Sequence, residues 1–295
     1  IADLATDDAF NRINLLVLRN PTLINMIGGC AISLPIHRAG GAPVGLMLAG
    51  ESGAAHVLAG GTDLLVRMKM GMIEPDLVLD IKRIDSMKVL KVAAGGVHIG
   101  GAVPAIELGE SERLRGLWPG VVEAANLIGS DQIQGRCTVV GNLCNASPAA
   151  DSVPALIAAG AKALIVGPKG KRRVGVEKVV LGPGKTSLGR DEFIEAVVLP
   201  ARAGKSADAY LRFTPRTEMD IAVVSAAVNL TLSRGVVTAA KVVLGAVAPT
   251  AVIVPAAARA IIGTKLEDAE LEKMANACRA ACNPIDDKRG TAEER

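Results

Sequence analysis

Residues 129–152, GSDQIQGRCTVVGNLCNASPAADS, constrain this chain more than any other stretch. The segment is dense in small and hydrogen-bonding residues and poor in bulk. Gly129, Gly135 and Gly141 permit positive φ or a close approach of backbone to a ligand. Asn142, Asn145, Ser147 and Ser152 offer short donors and acceptors, and Asp151 adds one carboxylate. Pro148 fixes its own φ and lacks an N–H, which predicts an extended segment before it. After it, ADSVPALIAAGAKALIV reads as a short helix followed by a strand. Two readings stay open at this level. One is a loop that places N–H groups and small side chains around a polar ligand; the other is a long surface turn.

A second stretch has the same character. His56-Val57-Leu58-Ala59 reads as a short strand, Gly60-Gly61-Thr62-Asp63 as a tight turn, and residues 64–70 as a helix. A strand, a glycine turn and a helix start make an anion site, because free N–H groups point outward there. Thr62 or Asp63 is expected to cap the helix. Taken alone, such a turn is more often structural.

Composition narrows the field. The 295 residues suffice for one large or two ordinary domains. Half are hydrophobic, yet only one Trp, one Tyr and three Phe are present, so the core must be aliphatic. Such a chain is poorly suited to stacking bases. Its net charge of +3 comes from scattered residues and gives no nucleic-acid footprint. Cys30, Cys137, Cys144, Cys278 and Cys282 are odd in number, and no two have CxxC spacing. That fits a reducing compartment and structural roles. With His98 the only histidine beyond the N-terminal segment and the glycine turn, a zinc site lacks ligands. No signal peptide is legible, and the most apolar stretch, 242–258, is broken by Pro249 and Pro255. No membrane span and a cytoplasmic protein are expected.

The string QIQGRCTVVGNLCNASPAADSVPAL resembles the second flavin-binding motif of the FAD-carrying medium subunits of molybdenum hydroxylases. This is the family of aerobic carbon monoxide dehydrogenase and xanthine dehydrogenase. VLAGGTDLLVRMKMG is similar to the family's first motif, which holds the pyrophosphate. The resemblance runs from His56 to the last residue. It implies an α+β fold: a two-subdomain FAD-binding domain (PCMH-like) over 53–200, then a small α+β C-terminal domain over 205–295, with an antiparallel sheet and helices. It implies FAD contacts from Val57, Leu58, Ala59, Gly60, Gly61, Thr62, Asp63 and Leu64, chiefly through backbone. Ile128 and Leu188 would lie beside the flavin. Thr138, Gly141, Asn142, Asn145 and Ser147 would contribute from the second motif. Asp151 would accept hydrogen bonds from ribityl hydroxyls, with a plain helix cap as its alternative, and Arg212 would reach toward the flavin.

The implied function is electron transfer. A molybdenum-cofactor large subunit would hydroxylate substrate, and a [2Fe-2S] small subunit would feed electrons to FAD here. The acceptor would be NAD, a quinone or oxygen. No catalytic or metal-binding residue is implied in this chain, whose part is to bind and tune a cofactor. The alternative is a non-catalytic or vestigial assembly subunit that no longer holds FAD.

Three departures from the family pattern bear on this. The family's Thr-x-Gly-Gly-Asn reads Thr138-Val139-Val140-Gly141-Asn142 here. A β-branched Val avoids positive φ, which predicts one lost close approach to the flavin. The turn Gly100-Gly101-Ala102-Val103 lacks the family's Thr. Residues 1 to about 52 do not fit the resemblance: RNPTLINMIGGCAISLP and APVGLMLAG resemble the C-terminal tail of amidase-signature hydrolases. That family's catalytic serines and lysine are missing, so no amidase activity is expected. Residues 44–48 are expected to supply a substitute strand to the FAD subdomain.

Elsewhere, strands are expected at 76–80, 87–92, 96–100, 163–167, 193–199, 223–232 and 236–244. Helices are expected at 103–114, 121–128 (stopped by Gly129), 251–262 and 266–282. Residues 169–173 read as a solvated hairpin tip, and 201–208 as a polar linker between domains. Gly182-Pro183-Gly184-Lys185-Thr186 is not a P-loop, because the pattern's first glycine would fall on Val179.

Overall fold

The structure is a computed structural model that describes residues 30–35, 45–50, 55–202, 204–217 and 219–293. Near the start, β1 (Cys30–Pro35) and β2 (Gly45–Gly50) form an antiparallel hairpin. Among the described residues no ladder joins β2 to a later strand. The expected substitute strand therefore pairs within its own segment. The rest of the amidase-like stretch lies outside the described residues.

A βαβ unit follows: β3 (Ala55–Leu58), α1 (Leu64–Lys69) and β4 (Leu77–Asp80), with β3 and β4 parallel. Lys82 closes its end. The ammonium donates to the Ala59 carbonyl at 2.7 Å and pairs with Asp80 at 2.7 Å.

The centre is a five-stranded antiparallel sheet of β5 (Leu90–Ala93), β6 (Gly96–Gly100), β7 (Lys162–Gly167), β8 (Gly170–Gly175) and β11 (Phe193–Pro200), in the order β5-β6-β11-β7-β8. Six short helices accompany it: α2 (Ala105–Glu110), α3 (Glu112–Leu117), α4 (Pro119–Ala125), α5 (Asp131–Gln134), α6 (Val139–Asn145) and α7 (Ser152–Ala158). Ile99, Leu108, Leu114, Leu143, Leu156 and Ile165 are fully buried between these layers, an aliphatic core as the composition demanded.

Three sequence expectations change here. The single helix over 103–114 is two, because Ser111 leaves helical geometry and its hydroxyl accepts from the Leu114 N–H at 3.3 Å, capping α3. The next helix starts at Pro119 and ends at Ala125, ahead of Gly129. Met87 sits in a 3-10 turn, and β5 begins only at Leu90. The basic hairpin tip is as expected, with Lys171 paired to Glu195 at 2.8 Å and Arg172 to Glu192 at 2.6 Å. Strands β9 (Val180–Gly182) and β10 (Lys185–Thr186) pair antiparallel, and Gly184, at φ +67°, lies in the turn between them. The apparent P-loop is thus a hairpin.

Beyond it, β12 (Lys205–Phe213), β13 (Val224–Ser233), β14 (Val236–Gly245) and β15 (Val252–Ile253) form a second antiparallel sheet. Helices α8 (Pro255–Ile261) and α9 (Asp268–Ala281) accompany it, α8 packing on β14. The helix expected from 251 starts later, because residues 252–253 extend β14's ladder and Pro255 occupies the first turn. Cys278 and Cys282, four residues apart, share a face: the Cys282 thiol meets the Cys278 carbonyl at 3.3 Å.

The expected linker is not loose. β12 already begins at Lys205, and the Arg202 guanidinium stacks 3.9 Å over the Trp118 ring. Arg202 also donates to the Leu117 carbonyl at 2.6 Å, to Asn229 Oδ1 at 3.1 Å and to Asp208. Asp208 in turn accepts from the Val121 N–H at 3.2 Å. These bonds pin α4 against β12.

Candidate functional site

The first glycine turn is shaped by a close approach. A Cβ on Gly60 would run into the Arg136 carbonyl, so the turn lies directly on the backbone of 136–137. Gly61 has φ +83°, the left-handed region that glycine tolerates. Leu65 N–H bonds the Gly61 carbonyl, whereas the N–H groups of Gly61, Thr62, Asp63 and Leu64 meet no acceptor among the described residues. Asp63 stands at the N-cap position without capping. Its carboxylate instead accepts from Asn145 Nδ2 at 3.2 Å, which ties the two glycine-bearing motifs together. Burial raises the Asp63 pKa against the opposing pull of Arg67.

The second motif is helical where extended chain was expected before Pro148. Thr138 caps α6, its hydroxyl accepting from the Gly141 N–H at 2.8 Å. Val139, Val140 and Leu143 are buried on the inner face of α6. Val140 is absent from the positive-φ residues, so its side chain imposes no backbone strain. The backbone strain expected of a β-branched residue at 140 is therefore absent, while the side chain lines the cleft. α6 ends at Ala146, left-handed at φ 52°. Asn142 Oδ1 accepts from the Ser152 hydroxyl at 2.7 Å and so anchors the start of α7.

Between these walls runs a cleft of about 270 Å³. Of the residues singled out from sequence, Val57, Ala59, Gly60, Gly61, Thr62, Asp63, Leu64, Ile128, Thr138, Gly141, Asn142, Asn145 and Leu188 line it. Leu58, Ser147, Asp151 and Arg212 do not. The Ser147 hydroxyl accepts from the Ala149 N–H at 3.2 Å. Asp151 is only 8 % exposed and makes no cap bond. Its two oxygens take the Tyr210 hydroxyl at 2.9 Å and Arg212 Nη1 at 2.8 Å. Arg212 therefore reaches a carboxylate rather than the cleft. Burial raises the Asp151 pKa, opposed by Arg212 and Tyr210, and burial also pushes the Tyr210 hydroxyl up.

Sequence reasoning missed His56, Arg67, Cys137, Cys144 and Glu192, which also line the cleft, as does Val140, singled out above for its departure from the family pattern. Arg67 had a local signal, one helical turn after Asp63 (i, i+4). Glu192 arrives just ahead of β11 and had none. Burial raises the Cys137 and Cys144 thiols to about 11 and about 12, so both stay neutral and unreactive at pH 7. Among the described residues no cluster of His, Cys, Asp and Glu could hold a metal, and no helix is long and apolar enough to cross a membrane.

Chemically, the cleft combines unpaired N–H groups and the Arg67 cation at one turn with apolar surface from Ile128 and Leu188. It suits an elongated ligand with an anionic middle and a flat apolar end.

Comparison with known proteins agrees. Residues 44–202 match the FAD binding domain in molybdopterin dehydrogenase, and residues 209–295 match the CO dehydrogenase flavoprotein C-terminal domain. The chain is 30% identical over 247 residues to the carbon monoxide dehydrogenase medium chain of Hydrogenophaga pseudoflava, covering 83% of this chain and 86% of that one. It is 30% identical over 216 residues to the xanthine dehydrogenase FAD-binding subunit of Escherichia coli O157:H7, covering 72% and 74%. A solved carbon monoxide dehydrogenase from Hydrogenophaga pseudoflava superposes with a TM-score of 0.78 at 31% identity, covering 82% of this chain and 84% of that one. The chain is an oxidoreductase subunit that belongs to the FAD-binding medium subunits of the carbon monoxide dehydrogenase and xanthine dehydrogenase family, with FAD as its cofactor.

Proposed function

We propose that this chain is the electron-transfer subunit of a molybdenum hydroxylase, passing electrons from iron–sulfur clusters through FAD to an external acceptor. Its partners would be a molybdenum-cofactor large subunit and a [2Fe-2S] small subunit, and its acceptor NAD, a quinone or oxygen. The observation that carries this reading is the Asn145–Asp63 hydrogen bond, which brings both glycine-bearing motifs to one cleft.

The residues present fit FAD. The free N–H groups of residues 61–64 and the Arg67 guanidinium would hold the pyrophosphate. Ile128 and Leu188 would exclude water from the ring, while Thr138, Gly141, Asn142 and Asn145 fix the wall beside it. The neutral thiols of Cys137 and Cys144 would leave the cleft free of competing nucleophiles. Asp151 and Arg212 would act at one remove, holding α7 to the second sheet. The vestigial alternative is weakened at one of its three supports, because Val140 has ordinary helical backbone.

Titration of the purified chain with FAD, followed by flavin fluorescence, tests the cofactor reading; micromolar or tighter binding is expected. Reduced, FAD-loaded protein mixed in turn with NAD, a quinone and oxygen tests the electron exit. Bound flavin that none of them reoxidises would overturn the electron-transfer proposal while leaving FAD binding intact.

A further inference from the structure

We propose that His56 recognises the adenine end of the cofactor, an assignment that rests on the reading of the cleft as the FAD site. The His56 Nδ1 atom is buried and has no hydrogen-bond partner among the described residues, and the residue lines the cleft. A buried, unpaired ring nitrogen is costly, and native folds rarely leave one without a purpose. The strand that carries it, β3, pairs only with β4 among the described residues.

Position decides which part of the cofactor it meets. The second motif gathers at the glycine-turn end of β3, through Asn145 on Asp63 and the Arg136 backbone on Gly60. Ile128 and Leu188, the apolar surface for the ring, pack on the helical core that carries this motif. His56 lies four residues before Gly60, about 13 Å along an extended strand, at the opposite end of β3. In FAD the isoalloxazine and adenine lie on opposite sides of the pyrophosphate. With the pyrophosphate at the turn and the ring toward Ile128, the adenine falls on the His56 side. An imidazole nitrogen suits it, since it can donate to a purine ring nitrogen or accept from the exocyclic amine.

The test compares the parent, His56→Phe and His56→Asn, each titrated with FAD, with FMN, which lacks the AMP half, and with ADP, which lacks the flavin. His56→Phe should weaken FAD and ADP by the same factor, about tenfold, and leave FMN unchanged. His56→Asn places an amide near the position of Nδ1 and should restore most of the loss. Thermal unfolding of the cofactor-free variants should match the parent. His56→Phe binding FAD and ADP as the parent does would overturn the assignment. So would an equal loss of all three ligands, which would mean that His56 acts on the fold. A parent that binds none of the three overturns the cleft reading itself, and this assignment with it.

Discussion

Arg212 Nη1 donates to Asp151 Oδ2 at 2.8 Å, with the two side chains only 5% and 10% exposed. The pair joins β12 to the start of α7, and Tyr210 holds the other carboxylate oxygen. Asp151→Asn should therefore destabilise the protein by about 3 kcal/mol, because it strands a buried guanidinium without its counter-charge. Urea denaturation measures this. Replacing both partners by apolar residues of similar volume should recover most of the loss. A single substitution costing under about 1 kcal/mol would mean that water reaches Arg212.

Val140→Gly should weaken the fold and leave FAD affinity no better. Val140 is 4% exposed inside α6. Relative to valine, glycine there costs only about 0.5 kcal/mol in helix propensity, and the lost side-chain burial adds about 1 to 2 kcal/mol. Calorimetry reads the first effect and flavin titration the second. Tighter FAD binding by the variant would show that the β-branched side chain crowds the flavin.

Gly60→Ala should cost at least tenfold in FAD affinity and also lower the Tm, since the added methyl collides with the Arg136 carbonyl. Gly71→Ala is the control for backbone angle. Gly71 has positive φ, at +67°, which Gly60 does not, and an added Cβ there would meet nothing within 4 Å. Its cost should stay near 1 kcal/mol of backbone strain, with FAD affinity unchanged. A Gly60→Ala cost no larger than that of Gly71→Ala would mean that the Arg136 backbone gives way to the added methyl.

Glu192 gives a pH signature. The Arg172 hydrogen bonds, then the Gly189 N–H, pull its pKa from 4.5 down to about 2. The folded pKa is depressed, so the stabilisation is present above about 4.5 and lost as pH falls toward 2. The gap in urea midpoint between the parent and Glu192→Gln should be small at pH 6, shrink in high salt and close near pH 2. A gap that widens on acidification would mean that Glu192 is stabilised in its protonated form.

By itself the sequence determined the local punctuation and the two strings that resemble flavin-binding motifs. Two apolar, β-branched runs on either side of residues 233–235 marked β13 and β14, and the pair Gly60-Gly61 marked the turn that opens α1. Such signals are short-range, set by the φ that one residue tolerates and by the face on which its neighbours fall. Tertiary structure alone decided the rest. Small polar residues ahead of Pro148 carry little preference of their own, and burial of Val139, Val140 and Leu143 made that segment a helix. Asp151 reads as a ligand or a cap in one dimension, yet a cation 61 residues later claims it. His56, Arg67 and Glu192 reach one cleft only because β3, α1 and the start of β11 fold against each other. Which groups a buried carboxylate or imidazole meets depends on contacts between distant elements, and no local pattern encodes them.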